Sequence, residues 1–127
     1  MKVIISNRSG VPIYEQIKIQ IKEAIFNGEL VANDVLPSIR SLAQDLKVSV
    51  ITTTRAYSDL EKEGFVVNVQ GKGCYVLPQD KELMRETALL KIEESLTGII
   101  QTARLAKIKK IEILEVFTLL CEEDKYE

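Results

Sequence analysis

The sequence contains no histidine and no tryptophan, and its 127 residues include only two cysteines. Without histidine the chain can have no His-based catalytic triad, no pair of zinc-binding histidines and no other histidine-ligated metal. Cys74 and Cys121 lie too far apart for a metal-binding motif, and a single pair makes no disulfide framework. With no nucleophile motif either, the sequence predicts a protein that is not an enzyme and that needs no metal or cofactor.

Long apolar runs are also missing. No stretch approaches the ~20 apolar residues that span a bilayer, and the first residues lack the basic start and apolar run of a signal peptide. Lys and Arg number 17 against 19 for Asp and Glu, which excludes a polycation that binds nucleic acid through bulk charge. Because 46% of the residues are apolar, the chain can bury a core. We therefore expect a folded, reduced, cytoplasmic protein without a membrane partner.

Glycine and proline divide the chain near Pro78. Together they number nine, and eight of them lie at or before that residue. Residues 1–78 hold 9 basic and 8 acidic side chains, whereas residues 79–127 hold 8 basic and 11 acidic ones. We predict an N-terminal domain over residues 10–78 and a helical tail over residues 79–127.

The N-terminal domain is predicted to begin with three short helices. Apolar residues at spacings of three and four predict the first helix over residues 12–27. Ser38 and Ser49 are good N-cap residues for two further helices with only two residues between them. Helices joined so tightly must cross steeply, which predicts a helix-turn-helix over residues 38–57.

A β-hairpin is predicted directly behind the third helix. The sequence FVVNVQ alternates with a period of two, GKG forms a turn, and CYVL returns as a second strand. Three helices followed by a hairpin is the order of elements in a winged helix. The predicted class is α+β, a winged helix-turn-helix followed by a two-helix tail.

The tail carries more apolar surface than one helix pair needs. Apolar residues recur at spacings of three and four from Leu89 to Ala103, as in a coiled coil. Nine of the fourteen residues from Ile108 to Cys121 are apolar, which is wider than the stripe that covers one partner. We therefore predict two partners for the second tail helix, its neighbour in the tail and a second subunit. The predicted dimerisation residues are Leu96, Ile99, Ile111, Leu114, Phe117 and Leu120.

The string LPSIRSLAQDLKVSVITTTRAYSDLEKEGFVVNVQGKGCYV, residues 36–76, resembles the DNA-binding domain of the GntR family of bacterial transcription regulators. The shared motifs are LPS-x-R, the valine–serine turn, LEKEGFV and the Q-G-K-G wing. With PIYEQI upstream, R-A-Y in the third helix and a tail of some fifty residues, the chain resembles the short YtrA-like subfamily. That resemblance implies dimerisation through two C-terminal helices, regulation of an ABC-transporter operon, and no large effector-binding domain.

The third helix is the candidate recognition helix, whose N-terminal residues would read base edges. Stepping 100° per residue from its apolar stripe identifies an outward set. This set is Ile51, Thr52, Thr54 and Arg55. Threonine hydroxyls can bond several bases, and isoleucine can pack on a thymine methyl. The alternative is that the threonines are only solvated, but an outward isoleucine beside three threonines favours base reading.

The resemblance implies further contacts and also shows where this chain departs from the family. It implies that Arg40 meets a phosphate or a base edge, against the alternative of a solvated arginine. Ser38 and Ser49 would add phosphate contacts, although helix capping alone explains both serines. Many relatives have an arginine that reads guanine where Val50 stands, so the base-level code does not transfer. A glycine is usual where Lys47 stands, and a positive φ there would add strain of about 1 kcal/mol.

The predicted wing tip comprises Gln70, Gly71 and Lys72. Glycine lets the backbone lie against a groove and lysine supplies positive charge, although a plain hairpin turn is the alternative. We expect a homodimeric, sequence-specific DNA-binding repressor of a transporter-type operon, on a near-palindromic double-stranded operator. The alternative is a winged-helix protein-interaction module without specific DNA binding, which the acidic net charge favours. No cluster of polar residues marks a site for a small-molecule effector.

Overall fold

A computed structural model describes all 127 residues and divides them into two compact units, Met1–Gln79 and Asp80–Glu127. The first unit contains helices α1 (Ile13–Phe26), α2 (Ile39–Leu46) and α3 (Val50–Lys62), then the antiparallel strands β1 (Val66–Val69) and β2 (Gly73–Val76). The second contains α4 (Lys81–Ala106) and α5 (Lys110–Glu123). The predicted α+β winged helix followed by two tail helices is confirmed. None of the five helices has the length and apolarity to cross a bilayer.

Helix α1 starts one residue later than the sequence pattern indicates. Pro12 is its N-cap, with an extended backbone (ψ 144°), rather than its first helical residue. The proline fits because a cap residue needs no amide hydrogen, and its carbonyl accepts from the backbone nitrogen of Gln16 at 3.1 Å. Gly28 lies just past the helix end at φ +82°, as predicted.

Both predicted N-cap serines cap their helices. The Ser38 hydroxyl oxygen accepts a hydrogen bond from the backbone nitrogen of Ser41 at 3.1 Å. The Ser49 hydroxyl oxygen accepts one from the backbone nitrogen of Thr52 at 3.0 Å. Each bond satisfies one of the amide groups that the start of a helix leaves unpaired, so the caps fix where α2 and α3 begin.

A left-handed residue ends α2 and makes the turn possible. Lys47 has φ 57° and ψ 43°, the conformation that glycine adopts most easily. The backbone nitrogen of Val48 donates to the Ala43 carbonyl at 3.0 Å, and that of Lys47 donates to Gln44 at 3.3 Å. This is a Schellman cap. The φ of Lys47 is thus positive at a position where relatives have glycine, so the lysine occupies it at a cost in strain.

The core of the first unit forms where the three helices meet the wing. The buried face of α3 consists of Thr53, Ala56, Tyr57 and Leu60, as its spacing predicts. Tyr57 is among the largest fully buried side chains, and its hydroxyl donates to the carbonyl of Pro37 at 2.7 Å. That bond satisfies a buried polar group and ties α3 to the start of α2.

The segment before α2 pairs with β2 of the wing through an isolated β-bridge between Val35 and Tyr75. The backbone nitrogen of Asn33 donates to the Val76 carbonyl, and the nitrogen of Val76 donates to Asp34, both at 2.8 Å. Leu36 donates to the Cys74 carbonyl at 2.9 Å, so it is extended, as expected before a proline. These bonds fix β2 against the entry to α2.

An N-terminal arm, residues 3–9, lies along α1 and has no clear pattern in the sequence. The side-chain amide of Gln20 donates to the Ile4 carbonyl at 2.6 Å and its oxygen accepts from the Ile4 nitrogen at 2.8 Å. Gln16, one turn earlier, makes the same pair of bonds with Ser6, each at 2.8 Å. Each glutamine side chain therefore pairs with both the N–H and the C=O of one arm residue, as the backbone of a neighbouring β-strand would.

The tail helices leave almost all their apolar side chains uncovered. Ala103 is the only buried residue of α4, and α5 contains no buried residue. The expectation that α4 covers one face of α5 is wrong, because the two helices make almost no contact beyond their connection. Lys107 ends α4 in a left-handed conformation and Lys109 caps α5, and this short connection does not lay the helices side by side.

Candidate nucleic-acid interface

A cleft of about 490 Å³ lies between the first turn of α2 and the wing. Five of the predicted contact residues line it, namely Ser38, Arg40, Gln70, Gly71 and Lys72. Asn68, which the sequence pattern does not single out, also lines it, because it lies on β1 just before the turn. Tyr57 reaches the cleft from α3, and its bond to Pro37 fixes the helix start that carries Arg40. The predicted residues of α2 and of the wing therefore share one concave surface.

The exposed N-terminal end of α3 carries the other predicted residues, which do not line this cleft. Ile51 is 82% exposed, as its place opposite the buried stripe predicts, and Val50 is 48% exposed. Two large apolar side chains thus lie uncovered at the start of the helix that a winged helix uses for recognition.

The two outward threonines differ in what their hydroxyl groups can offer. Thr54 donates its hydroxyl hydrogen to the Val50 carbonyl at 2.7 Å, so only its lone pairs and its methyl group remain free. Thr52 accepts from the Ser49 hydroxyl at 2.8 Å, which leaves its own hydrogen free to donate. A base edge would therefore find a donor at Thr52 and an acceptor at Thr54.

Arg55 is stacked on an aromatic ring from another helix. Its guanidinium carbon lies 3.7 Å from the ring centroid of Tyr14 on α1. Tyr14 is not among the predicted site residues, since nothing in the pattern of α1 indicates which residue of α3 it meets. Arg55 therefore lies on the side of α3 that faces α1.

Below that stack, α1 and α3 are joined by ion pairs. Lys18 lies 2.9 Å from a Glu63 oxygen and 3.4 Å from an Asp59 oxygen, and Lys22 lies 2.6 Å from Glu63. Burial by itself lowers the pKa of Lys18, but the hydrogen bond to Glu63 and the nearby carboxylates raise it overall. Burial likewise raises the pKa of Glu63, but its bonds to Lys22 and Lys18 lower it overall.

Successive contacts between α1 and α3 advance by four residues along both helices, which shows that the helices run in the same direction. Tyr14 meets Arg55, Lys18 meets Asp59, and Lys22 meets Glu63, so each pair lies one turn beyond the last. The pair at the N-terminal end has its cation on α3, and the other two have theirs on α1. The start of α1 therefore lies beside the start of α3.

Most cations of this unit form no ion pair, and three of them lie among the predicted contact residues. Arg40 and Lys72, at the cleft, and Arg55, at the start of α3, form no ion pair and no side-chain hydrogen bond, and all three are exposed. Lys18 and Lys22, by contrast, are neutralised by acidic side chains of α1 and α3. The net charge of the chain therefore says little about the charge near the cleft.

Cys74 lies at the back of the cleft and is buried. Burial, with a smaller contribution from the charge of Glu61, raises the pKa of its thiol to about 11. The thiol therefore stays protonated near neutral pH, and a protonated thiol is neither a nucleophile nor a metal ligand.

The model of the gntR family of bacterial regulatory proteins matches residues 13–76, which include the three helices and the wing. The chain belongs to the gntR family. The chain is therefore a DNA-binding transcription regulator, and its relatives are regulators rather than enzymes.

Three relatives extend this assignment. The chain is 36% identical to the HTH-type transcriptional repressor YtrA of Bacillus subtilis, over 83% of its own length and 81% of the relative. It is similar to the structure of YtrA from Sulfolobus acidocaldarius, a GntR-family transcription factor, with 39% identity and a TM-score of 0.60 over 72% of this chain and 97% of that one. It is also similar to the DNA-binding domain of AraR in complex with operator ORX1, with 29% identity and a TM-score of 0.54 over 60% and 95% of the two chains.

Proposed function

We propose that this regulator binds a specific DNA operator with the start of α3, the first turn of α2 and the wing. The observation that carries the proposal is the cleft that brings together the predicted residues of α2 and the wing. Arg40 and Lys72 lie unpaired at one cleft, whereas the cations between α1 and α3 are neutralised. A major groove is wide enough for one helix, and the phosphates beside it attract cations held at its edges.

Each predicted contact residue except Arg55 then has a role that fits its surroundings. Val50, Ile51, Thr52 and Thr54 form the base-reading group at the start of α3. Ser38, Arg40 and Ser49 lie at the two helix starts, where backbone amides and positive charge favour phosphate. The wing residues Gln70, Gly71 and Lys72 would follow the DNA backbone or the neighbouring groove.

We also propose that two copies associate through the tail. The predicted dimerisation residues Leu96, Ile99, Ile111, Leu114, Phe117 and Leu120 are all exposed in the single chain. The apolar seam of α4 runs from Leu89 to Ala103, which is about 21 Å along the helix. Monomeric proteins rarely expose a continuous apolar surface of that size, and a second copy of the same seam would cover it.

A homodimer explains how so small a winged helix reaches useful affinity. Two recognition helices would read two half-sites about one helical turn apart, so the operator should be nearly palindromic. Occupying such a site over a promoter represses transcription, and the similarity to the Bacillus subtilis repressor YtrA supports that role. The resemblance to YtrA-like regulators supports a transporter-type operon, which the protein would control in the cytoplasm.

The binding site is tested by removing one cation at the cleft. Arg40→Ala should weaken operator binding by about 1–3 kcal/mol if Arg40 meets a base edge, while the melting temperature stays unchanged. A phosphate contact would instead weaken all sequences alike and reduce the salt slope by about one. Lys62→Ala, in the last turn of α3, is the matched control because it removes the same charge away from the cleft.

Two results would contradict the proposed site. Equal losses for Arg40→Ala and Lys62→Ala would mean that only total charge matters. If the wild-type chain binds no duplex in a sequence-dependent way, the protein-interaction alternative replaces DNA recognition.

The dimer is tested by placing charge in the seam. Full-length protein at micromolar concentration should sediment at twice the chain mass of 14.3 kDa. Phe117→Glu together with Leu120→Glu should give a monomer, because charges cannot be buried unpaired in an apolar interface. Tyr126→Glu, beyond the end of α5, adds charge without entering the seam and should remain dimeric. A wild-type monomer at that concentration would contradict the assignment of the tail.

A further inference from the structure

The contact between Arg55 and Tyr14 holds a charged group whose hydrogen-bond donors are all unused. The guanidinium carbon lies 3.7 Å from the ring centroid, so the ring covers one face of the cation. Arg55 forms no hydrogen bond and no ion pair within the chain, and its side chain is exposed. The five N–H groups of the guanidinium point outward from its central carbon, so an anion can still reach them beside the ring.

The direction of the helices places this group beside the recognition surface. Arg55 lies one turn after Ile51 on the outward face of α3. Tyr14 draws it toward α1, away from the middle of that face. A side chain displaced to one side of a helix in the major groove approaches the sugar–phosphate backbone rather than the base edges.

We infer that Tyr14 is a positioning residue for DNA binding, which holds Arg55 ready to bind one phosphate at the edge of the groove. The inference rests on the proposed function. It replaces base reading by Arg55 with phosphate binding, and it gives α1 a part in recognition. Its physical basis is pre-organisation, because a flexible arginine fixed before binding loses less freedom when the phosphate arrives.

The experiment uses the full chain and a duplex that the wild-type chain selects from a random pool. Arg55→Gln should weaken binding about tenfold for selected and scrambled sequences alike. It should also reduce the salt slope by about 0.9 for each half-site. Tyr14→Leu should weaken binding about two- to fivefold through loss of the stack, and Tyr14→Phe, which keeps a ring, should restore it.

Two further measurements separate positioning from other roles. In the Arg55→Gln background, Tyr14→Leu should have no further effect, because the group that it positions is gone. Phe65→Leu is the matched control, because Lys22 lies 5.1 Å from the Phe65 ring centroid at the far end of the same helix pair. It should lower the stability of the domain without changing the salt slope or the affinity.

Three results would overturn the inference. One is an Arg55→Gln variant with wild-type affinity and salt slope. The second is a Tyr14→Leu effect that persists without Arg55, which would mean that the tyrosine touches DNA itself. The third is an equal loss of affinity in Phe65→Leu, which would mean a general effect of stability. In each case wild-type binding and the Arg40→Ala effect still report separately on the proposed function.

Discussion

The exposed Ile51 side chain gives a direct test of base reading, because a thymine methyl can be removed from DNA without disturbing base pairing. Replacing thymine with uracil deletes only that methyl group. Ile51 is 82% exposed in the free chain, so nearly all the apolar burial at such a contact is gained on binding. Burying one methyl contributes about 0.8 kcal/mol, or roughly fourfold in affinity. In a palindromic operator both half-sites lose the contact, so affinity should fall about fifteenfold.

The assay is fluorescence anisotropy at fixed salt, with each thymine of the half-site replaced in turn by uracil. Wild-type protein should be sensitive at one thymine, and Ile51→Ala should bind the thymine and uracil duplexes equally. Val50→Ala is the matched control, because Val50 is the neighbouring apolar residue and is 48% exposed. It should keep the sensitivity at the thymine assigned to Ile51.

Two outcomes would refute this reasoning. If wild-type protein binds every uracil duplex as tightly as the thymine duplex, Ile51 does not read a base through its methyl groups. If Val50→Ala removes the sensitivity and Ile51→Ala does not, the contact belongs to the preceding residue. In the first case Thr52 and Thr54 would carry the sequence preference, Thr52 as donor and Thr54 as acceptor.

Two further predictions concern the turn and the buried thiol. Lys47→Gly should raise the free energy of unfolding in urea by about 1 kcal/mol, because it relieves the left-handed strain, whereas Lys47→Ala should give no gain. In a Cys121→Ser background at pH 8, a disulfide reagent should label native Cys74 about a hundredfold more slowly than the unfolded chain, because burial raises the thiol pKa from 9.0 to about 11. The native thiol binds its proton more tightly, so this contribution to stability should decline as the pH rises from 9 towards 11.

The features that the sequence predicts well are those that depend on near neighbours. The caps at Ser38 and Ser49 each join residues three apart, so a short window of sequence contains both partners. The left-handed Lys47 is equally local, since its bonds reach only one turn back. The outward position of Ile51 follows from helical periodicity once the buried residues of α3 are identified.

The features that the sequence does not reveal depend on how separate elements lie against each other. Periodicity predicts which face of α1 is buried, but it does not predict that Tyr14 meets Arg55. The N-terminal arm shows no apolar periodicity in the sequence. Its backbone is bonded by the side-chain amides of Gln16 and Gln20 rather than by a neighbouring strand. In the tail, composition predicts a surplus of apolar surface but not that α4 leaves α5 uncovered.

At the first contact between α1 and α3 the cation, Arg55, lies on α3, whereas at the later contacts the cations lie on α1. This difference allows only one axial register between the two helices. The lysines of α1 could accept a partner one turn along, since Lys18 already lies near both Asp59 and Glu63. Sliding α1 one turn toward the start of α3 would bring Lys18 onto Arg55, cation against cation. Sliding it the other way would put the face of Tyr14, which is electron-rich, against a carboxylate. The proposed recognition helix is thus held at a single axial position by one aromatic–cation pair placed above three ion pairs.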